Sequence, residues 1–408
     1  MNTLLLKHVF WEGRTRNVLV RGNRYACLDA AEGAEADRVA DASGLALLPA
    51  FYNGHTHLAM SLLRGYADDM PLQTWLQDHI WPYEAKLTAA DIRRGSDLSV
   101  REMLAGGTVF FNDMYFEPEE TIRVVASSGL RAAIGITVMD NHSLAQQASK
   151  HAFVREWKDP TGGRIQLAIA PHAIYTVCER RLRECAEWAR EAGLRLHIHL
   201  SETRREVADC LREHGTTPVR YLDRIGFLGP DVVAAHCVHV DAEEWDILAS
   251  RGVTVVHCPC SNMKLGSGRF PYERAIASGV RVALGTDGCS SNNNVDMREE
   301  MKFAALLAKC VSAREDGLLE NEGAADLLPA SLVFDWATRG GAAAFGIDGG
   351  EVAEGKLADG LLVSLDAPKM QPCHHLLSNW VYAADSTAVK MVLCDGKIVY
   401  EAHDGKTL

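Results

Sequence analysis

From Leu45 onward, apolar runs of strand length recur along this chain, and most are followed by a longer amphipathic stretch. The eight runs cover 45–52, 108–114, 131–139, 164–172, 195–200, 232–240, 254–259 and 280–286. Between them, 90–104, 181–192, 204–225, 242–250 and 297–310 read as helices. In the second of these, Leu182, Cys185, Ala186 and Ala189 recur at helical spacing. Strands that stay apolar at consecutive positions have both faces covered, and helical crossovers make them parallel. Eight such units predict an α/β fold, the (β/α)8 TIM barrel, whose working groups stand at the C-terminal ends of the strands.

The flanks have a different texture. Residues 1–50 alternate short apolar pieces with turns at Glu12-Gly13 and Gly22-Asn23. Residues 361–365, 389–393 and 397–401 are again short strands, the last two joined through Cys394-Asp395-Gly396-Lys397. The two ends are expected to pair as a small β-sandwich domain, 1–50 plus 350–408, beside a barrel domain over 51–349. The 408 residues carry a net charge of −12, which argues against nucleic acid, whose backbone demands clustered Lys and Arg. No apolar run reaches the ~20 residues of a membrane span, and no secretion signal precedes Trp11. The 11 cysteines are odd in number and lack a Cys-x-x-Cys pair, so a reduced, cytoplasmic chain is expected rather than a disulfide framework.

The predicted strand ends collect metal-competent side chains. The first run leads into Asn53-Gly54-His55-Thr56-His57, the fourth ends in Pro171-His172, and the fifth in His197-Ile198-His199-Leu200-Ser201-Glu202. The sixth holds His236-Cys237-Val238-His239, the seventh His257-Cys258-Pro259-Cys260, and the eighth leads to Gly285-Thr286-Asp287-Gly288. So many polar groups at one rim of an apolar barrel are costly unless something pairs them. His55 and His57 stand at i and i+2 and share a face. With His199 and Asp287 they make three imidazoles and a carboxylate. That set suits one divalent ion per subunit, Zn2+ first, with Fe2+, Ni2+ or Mn2+ admitted. A bound ion of this kind lowers the pKa of a water to about 7. Glu202, three residues past His199, is placed to move a proton, and His236 to orient water and stabilise developing charge.

Plainer readings stand beside these. His197 alternates with His199 and points to the opposite face, where a hydrogen-bonded packing role is expected. His239 is either a ring behind the ligands or a polar strand end. His257, Cys258 and Cys260 offer a rival soft-metal site, although Cys-Pro-Cys is not a zinc spacing. Asn112 and Asp113 read as structural hydrogen bonders, and His374 and His375 as solvated. Asp287 taken alone suits a helix cap or a turn.

Four motifs now carry a resemblance: Asn53-Gly54-His55-Thr56-His57, His199-Leu200-Ser201-Glu202-Thr203, Ala235-His236-Cys237-Val238 and Gly285-Thr286-Asp287-Gly288. In this order they resemble those of the amidohydrolase superfamily, in its triazine-hydrolase and deaminase branch. The resemblance spans nearly the whole chain, including the β-rich ends. It implies a single-metal barrel, because strand four lacks the lysine that two-metal members carry there. Within the branch the chain is similar to the group of 5′-methylthioadenosine/S-adenosylhomocysteine deaminases. By that resemblance Trp75, within Met70-Pro71-Leu72-Gln73-Thr74-Trp75-Leu76, packs beside a purine. Glu84, within Trp81-Pro82-Tyr83-Glu84, holds ribose hydroxyls together with His172, Ser291 touches the base, and Glu202 is the acid and base. An indole face stacks well on a purine, and a carboxylate accepts from both hydroxyls of a cis-diol. Taken alone, Trp75 is a helix anchor and Glu84 a solvated helix residue.

The resemblance implies hydrolytic deamination of 5′-methylthioadenosine, 5′-deoxyadenosine, adenosine or S-adenosylhomocysteine by a homo-oligomer, dimer or tetramer. Arginines that hold a homocysteine carboxylate in that group find no counterpart in Gly135-Ile136-Thr137-Val138-Met139-Asp140-Asn141-His142, which favours neutral 5′ groups. A second reading keeps the chemistry and changes the ring to guanine or an oxidised purine, a pterin or a triazine. A third makes the barrel a binding protein that has lost catalysis; the complete ligand set argues against it.

Overall fold

The computed structural model describes residues 2–310 and 326–402. Met1 and 403–408, expected in the terminal β unit, and 311–325, expected in the barrel segment, lie outside the described residues. The chain opens with β1 (Thr3–Trp11), β2 (Arg14–Arg21), β3 (Arg24–Cys27), β4 (Arg38–Asp41) and β5 (Leu45–Pro49). The barrel strands follow: β6 (Phe51–Thr56), β7 (Thr108–Tyr115), β8 (Arg131–Val138), β9 (Ile165–Pro171), β10 (Arg195–Leu200), β11 (Val232–His236), β12 (Thr254–His257) and β13 (Arg281–Leu284). The last strands are β14 (Gly360–Ser364), β15 (Val389–Cys394) and β16 (Lys397–Glu401).

Strands β6 to β13 lie side by side in chain order, each parallel to the next, as the apolar runs predict. The two edges then approach one another. Asn53 Nδ2 donates to Thr286 Oγ1 at 2.7 Å, and the Asp287 amide donates to the His55 carbonyl at 3.0 Å. The first and last strand ends therefore meet. Glycine is needed at that seam, because a Cβ on Gly285 would lie 2.9 Å from His55 Cβ and 2.8 Å from Val256 Cγ1.

The terminal strands form one mixed sheet in the order β16-β15-β14-β5-β1-β2-β3, with β4 on β1, so both chain ends contribute to it. Leu4, Leu6, Val18, Val20, Leu362 and Leu393 meet in a buried core of its own. The opposite face of β14 and β15, with Leu361 and Val392, joins the main core. Where β8 begins, Arg131 Nε donates to Asp359 Oδ2 at 3.0 Å and Nη2 to Asp395 Oδ1 at 2.5 Å. Tyr52 Oη donates to Asp359 Oδ2 at 2.5 Å, and the Asp395 amide to Asp359 Oδ1 at 2.6 Å. This buried cluster ties the N-terminal end of the barrel to the mixed sheet.

Details differ from the sequence reading. The run 45–52 is parts of two strands: β5 pairs antiparallel with β14, whereas β6 pairs parallel with β7. The unbroken apolar run hides the change of sheet at Pro49, which has no amide to extend a ladder. The helix expected over 204–225 is two, Arg204–His214 and Pro218–Arg224, since Gly215 takes φ +68° and ends the first. The sixth run stops at His236, where His236 and Cys237 adopt φ of 72° and 48° and turn the chain out of the sheet. No helix among the described residues is long and apolar enough to cross a membrane.

Candidate metal and catalytic site

Each expected ligand stands at a strand end. His55 is in β6 and His57 just past it, His199 is in β10, and Asp287 lies three residues beyond β13. His55 Nε2 and His57 Nε2 are 3.2 and 3.1 Å from Asp287 Oδ1, and His199 Nε2 is 3.3 Å from His57 Nε2. Ligand-capable atoms of His55, His199, His236 and Asp287 all lie within 4.8 Å of one another. Although buried, His55 Nε2 and Asp287 Oδ1 make no well-aligned hydrogen bond. Orphaned polar atoms aimed at one point fit a cation, and the imidazole and carboxylate donors fit a first-row divalent metal.

The other atoms of these side chains are engaged, which fixes the rings. His57 Nδ1 donates to the Met114 carbonyl at 2.6 Å, and His199 Nδ1 to the His172 carbonyl at 2.8 Å. A proton on Nδ1 leaves a lone pair on Nε2 for a ligand role. Asp287 adopts φ +57°, and its Oδ2 accepts from Ser261 Oγ at 2.6 Å and Ser291 Oγ at 2.8 Å. Burial pushes His55 down to about 4, with Asp287 acting the other way. At His57 burial also opposes the charge, but the Asp287 carboxylate 3.1 Å away outweighs it and carries the ring to about 9.

Glu202 is buried, and its Oε1 accepts from Ser267 Oγ at 3.2 Å while Oε2 lies 3.9 Å from His236 Nε2. Burial raises its pKa, helped by the Asp287 charge and opposed by His236. The turn that aims it is held from behind. Ser201 sits at φ +49°, and the amides of Ser201 and Glu202 donate to the Glu206 carboxylate at 2.9 and 2.8 Å.

Trp75, Glu84 and His172 line one cavity with His57, His199, His236, Glu202 and Asp287. His172 Nδ1 donates to Thr176 Oγ1 at 2.9 Å, since that hydroxyl gives its own proton to the Ala173 carbonyl. Its Nε2 is thus a bare acceptor. Burial and the neighbouring histidines hold this ring neutral, at about 3. Ser291 is placed differently from the expectation. Its hydroxyl is directed to Asp287 and, at 3.1 Å, to the Gly288 carbonyl, and it is not part of the cavity lining.

Around the site, two histidines given plainer readings are hydrogen-bonded, and three residues of the segment after β12 were not singled out by type and spacing. His197 is buried and hydrogen-bonded on both sides: its Nε2 is 2.9 Å from His55 Nδ1 and its Nδ1 is 2.9 Å from Asn112 Nδ2. His239 Nε2 donates to the Ser267 carbonyl at 2.6 Å, fastening the loop that reaches Glu202. Ser261, Asn262 and Ser267 are buried polar residues in the segment after β12, and that polarity beside an apolar strand was the available signal. Cys258 and Cys260 are buried and belong to no group of metal-competent atoms among the described residues.

The chain is similar to known proteins over nearly its whole length. The amidohydrolase family model matches residues 46–399. A 5′-deoxyadenosine deaminase of Methanothermobacter thermautotrophicus is 44% identical over 391 residues, which is 95% of this chain and 89% of the relative. A 5-methylthioadenosine/S-adenosylhomocysteine deaminase of Archaeoglobus fulgidus is 45% identical over 94% of this chain and 89% of the relative. A crystal structure of an adenosine deaminase from Xanthomonas campestris with bound zinc superposes with a TM-score of 0.89 at 35% identity, covering 97% of this chain and 92% of that one.

Proposed function

The chain belongs to the amidohydrolase family, and from that premise we propose that it is a metal-dependent aminohydrolase converting adenosine derivatives into inosine analogues and ammonia. One observation carries the reading. His57, His199 and Asp287 line one cavity with the buried carboxyl of Glu202, and His55 meets Asp287 Oδ1 from behind them at 3.2 Å. The substrate class follows relatives of 44 and 45% identity that are named as deaminases of 5′-deoxyadenosine, 5-methylthioadenosine and S-adenosylhomocysteine.

His55, His57, His199 and Asp287 would hold one divalent ion, which we assign as Zn2+ because three imidazoles and a carboxylate suit it. When bound, such an ion makes a water acidic enough to ionise near about pH 7. The reaction consumes one water, leaves its oxygen on C6 and releases the C6 amine as ammonia. Glu202 takes a proton from the attacking water and gives it to ring N1, then carries a proton to the departing amine. His236, across from Glu202, is placed to orient the attacking water. Trp75 offers its face to the purine, and Glu84 with His172 accepts from the ribose hydroxyls.

Beyond Glu84 a second cavity, sharing Trp81, Phe116, Met139 and Tyr175 with the first, includes Glu117 and Asp140 and, among the described residues, no Lys or Arg in its lining, although Arg181 reaches Asp140 at 3.3 Å. No cation among the described lining residues is there to hold a carboxylate on the 5′ substituent, so the reading favours 5′-deoxyadenosine and 5′-methylthioadenosine over S-adenosylhomocysteine. An absorbance assay of zinc-loaded enzyme with these three, adenosine, adenine and guanine tests it. Neutral nucleosides are expected to react, free bases not, with kcat/KM for S-adenosylhomocysteine at least ~10-fold lower. Turnover of guanine without any riboside would move the reading to another aminated ring.

A further inference from the structure

Behind His236 stands a line of buried side chains to which the deaminase reading gives no role. His236 Nδ1 lies 2.9 Å from Asn262 Oδ1. Asn262 Nδ2 faces His257 Nδ1 at 3.4 Å, and His257 Nε2 is 2.8 Å from Tyr272 Oη. All four residues are buried. An amide oxygen only accepts, so the proton of the first bond must sit on His236 Nδ1. The next links run the same way: the Asn262 amide donates to His257 Nδ1, and His257 Nε2–H donates to the tyrosine oxygen. One amide orientation sets the direction of the whole line.

We propose that Asn262 is a positioning residue for the reaction, holding His236 in its Nδ1–H tautomer so that Nε2 faces the cavity as a bare acceptor. That Nε2 lies 3.9 Å from Glu202 Oε2, and His236 is one of the four residues whose ligand-capable atoms gather within 4.8 Å. In the opposite form the ring would aim a proton at the point where the orphaned atoms converge. It would also set bare Nδ1 against the amide oxygen, acceptor on acceptor. The work of the two groups is thereby divided. Glu202 moves protons, whereas His236 accepts a hydrogen bond from the attacking water and gives none up. Asn262 thus acts from outside the cavity lining, through the ring it orients.

The job assigned to His236 rests on the deaminase reading, but its protonated nitrogen does not, and the experiment separates them. Neutron diffraction from deuterated, zinc-loaded enzyme, above the ordinary histidine pKa range, is expected to place a deuteron on His236 Nδ1 and none on Nε2. A deuteron on Nε2 overturns the proposal whatever the substrate. In a second arm, Asn262→Leu removes the acceptor at similar volume and Asn262→Asp keeps one. Asn262→Leu is expected to lower kcat on 5′-deoxyadenosine about 10- to 100-fold, with KM held within about threefold and zinc content unchanged. Asn262→Asp is expected to recover most of that loss. Equal damage in both variants, wild-type kcat in Asn262→Leu, or loss of zinc from it overturns the proposal. Should the wild-type enzyme deaminate no adenosine derivative, the functional reading falls, and the neutron result alone decides the state of His236.

Discussion

Two clusters of buried charge stand at opposite ends of the barrel, and they are completed differently. At the N-terminal end, Arg131 reaches Asp359 at 3.0 Å and Asp395 at 2.5 Å, and the Tyr52 hydroxyl and the Asp395 amide occupy the remaining sides of Asp359. At the C-terminal end, Asp287 has its Oδ2 held by two serines, while its Oδ1 and His55 Nε2 lack well-aligned partners. Taking either set out of water is costly. The lower cluster offsets that cost with its own bonds. The upper one keeps part of its bonding capacity open, aimed at a single point and bordered by a cavity. Completeness, rather than burial or charge, is what separates a cluster that holds the fold from one that receives something from outside.

The largest effect expected from this contrast is at the lower end. Arg131→Met leaves Asp359 and Asp395 without their counter-charge and is expected to cost about 3–5 kcal/mol of stability, read from the urea midpoint. Its kcat, measured where the variant is folded, stays at the wild-type value. Wild-type stability, or a kcat that falls while the fold is intact, would erase the distinction. At the upper end the pattern reverses. Glu202→Gln is expected to lower kcat by at least ~10²-fold while zinc remains bound and the melting temperature is unchanged or raised. Near-wild-type turnover would remove Glu202 from the proton path, and a clear drop in melting temperature would show that the upper rim also holds the fold.

The upper cluster was legible in the sequence and the lower one was not. His55, His57, His199, Glu202, His236 and Asp287 sit at the ends of apolar runs, where a parallel barrel gathers its working groups, so period and position identified them. Arg131, Asp359 and Asp395 are ordinary charges in sequence, separated by 228 and 264 residues from the arginine to its partners, and no local pattern announces their meeting. The same limit hid Glu206, Asn262 and Ser267, whose side chains bond the Ser201 amide, the His236 ring and the Glu202 carboxylate, contacts that depend on how segments turn after leaving the sheet. The change of sheet between β5 and β6 was hidden for another reason. Both halves of the run 45–52 are buried, so hydrophobicity is continuous across a break in direction.

The smallest effect concerns a carboxylate that lines the cavity rather than closing a cluster. Burial lifts Glu84 to about 7, with the Tyr115 hydroxyl and His57 pulling it down. Above that pH both oxygens accept from the ribose hydroxyls; below it one carries a proton and acceptor capacity falls. KM for 5′-deoxyadenosine is therefore expected to rise about three- to tenfold as the pH is lowered through the Glu84 transition. Glu84→Gln, which cannot ionise, is expected to show a raised KM with no such transition. A wild-type KM that stays level through neutral pH, or a Glu84→Gln enzyme that keeps the slope, would place the titrating group elsewhere. Arg131→Met supplies the control: it disturbs a buried carboxylate just as directly, but at the sealed end, so its KM profile should overlay that of the wild type.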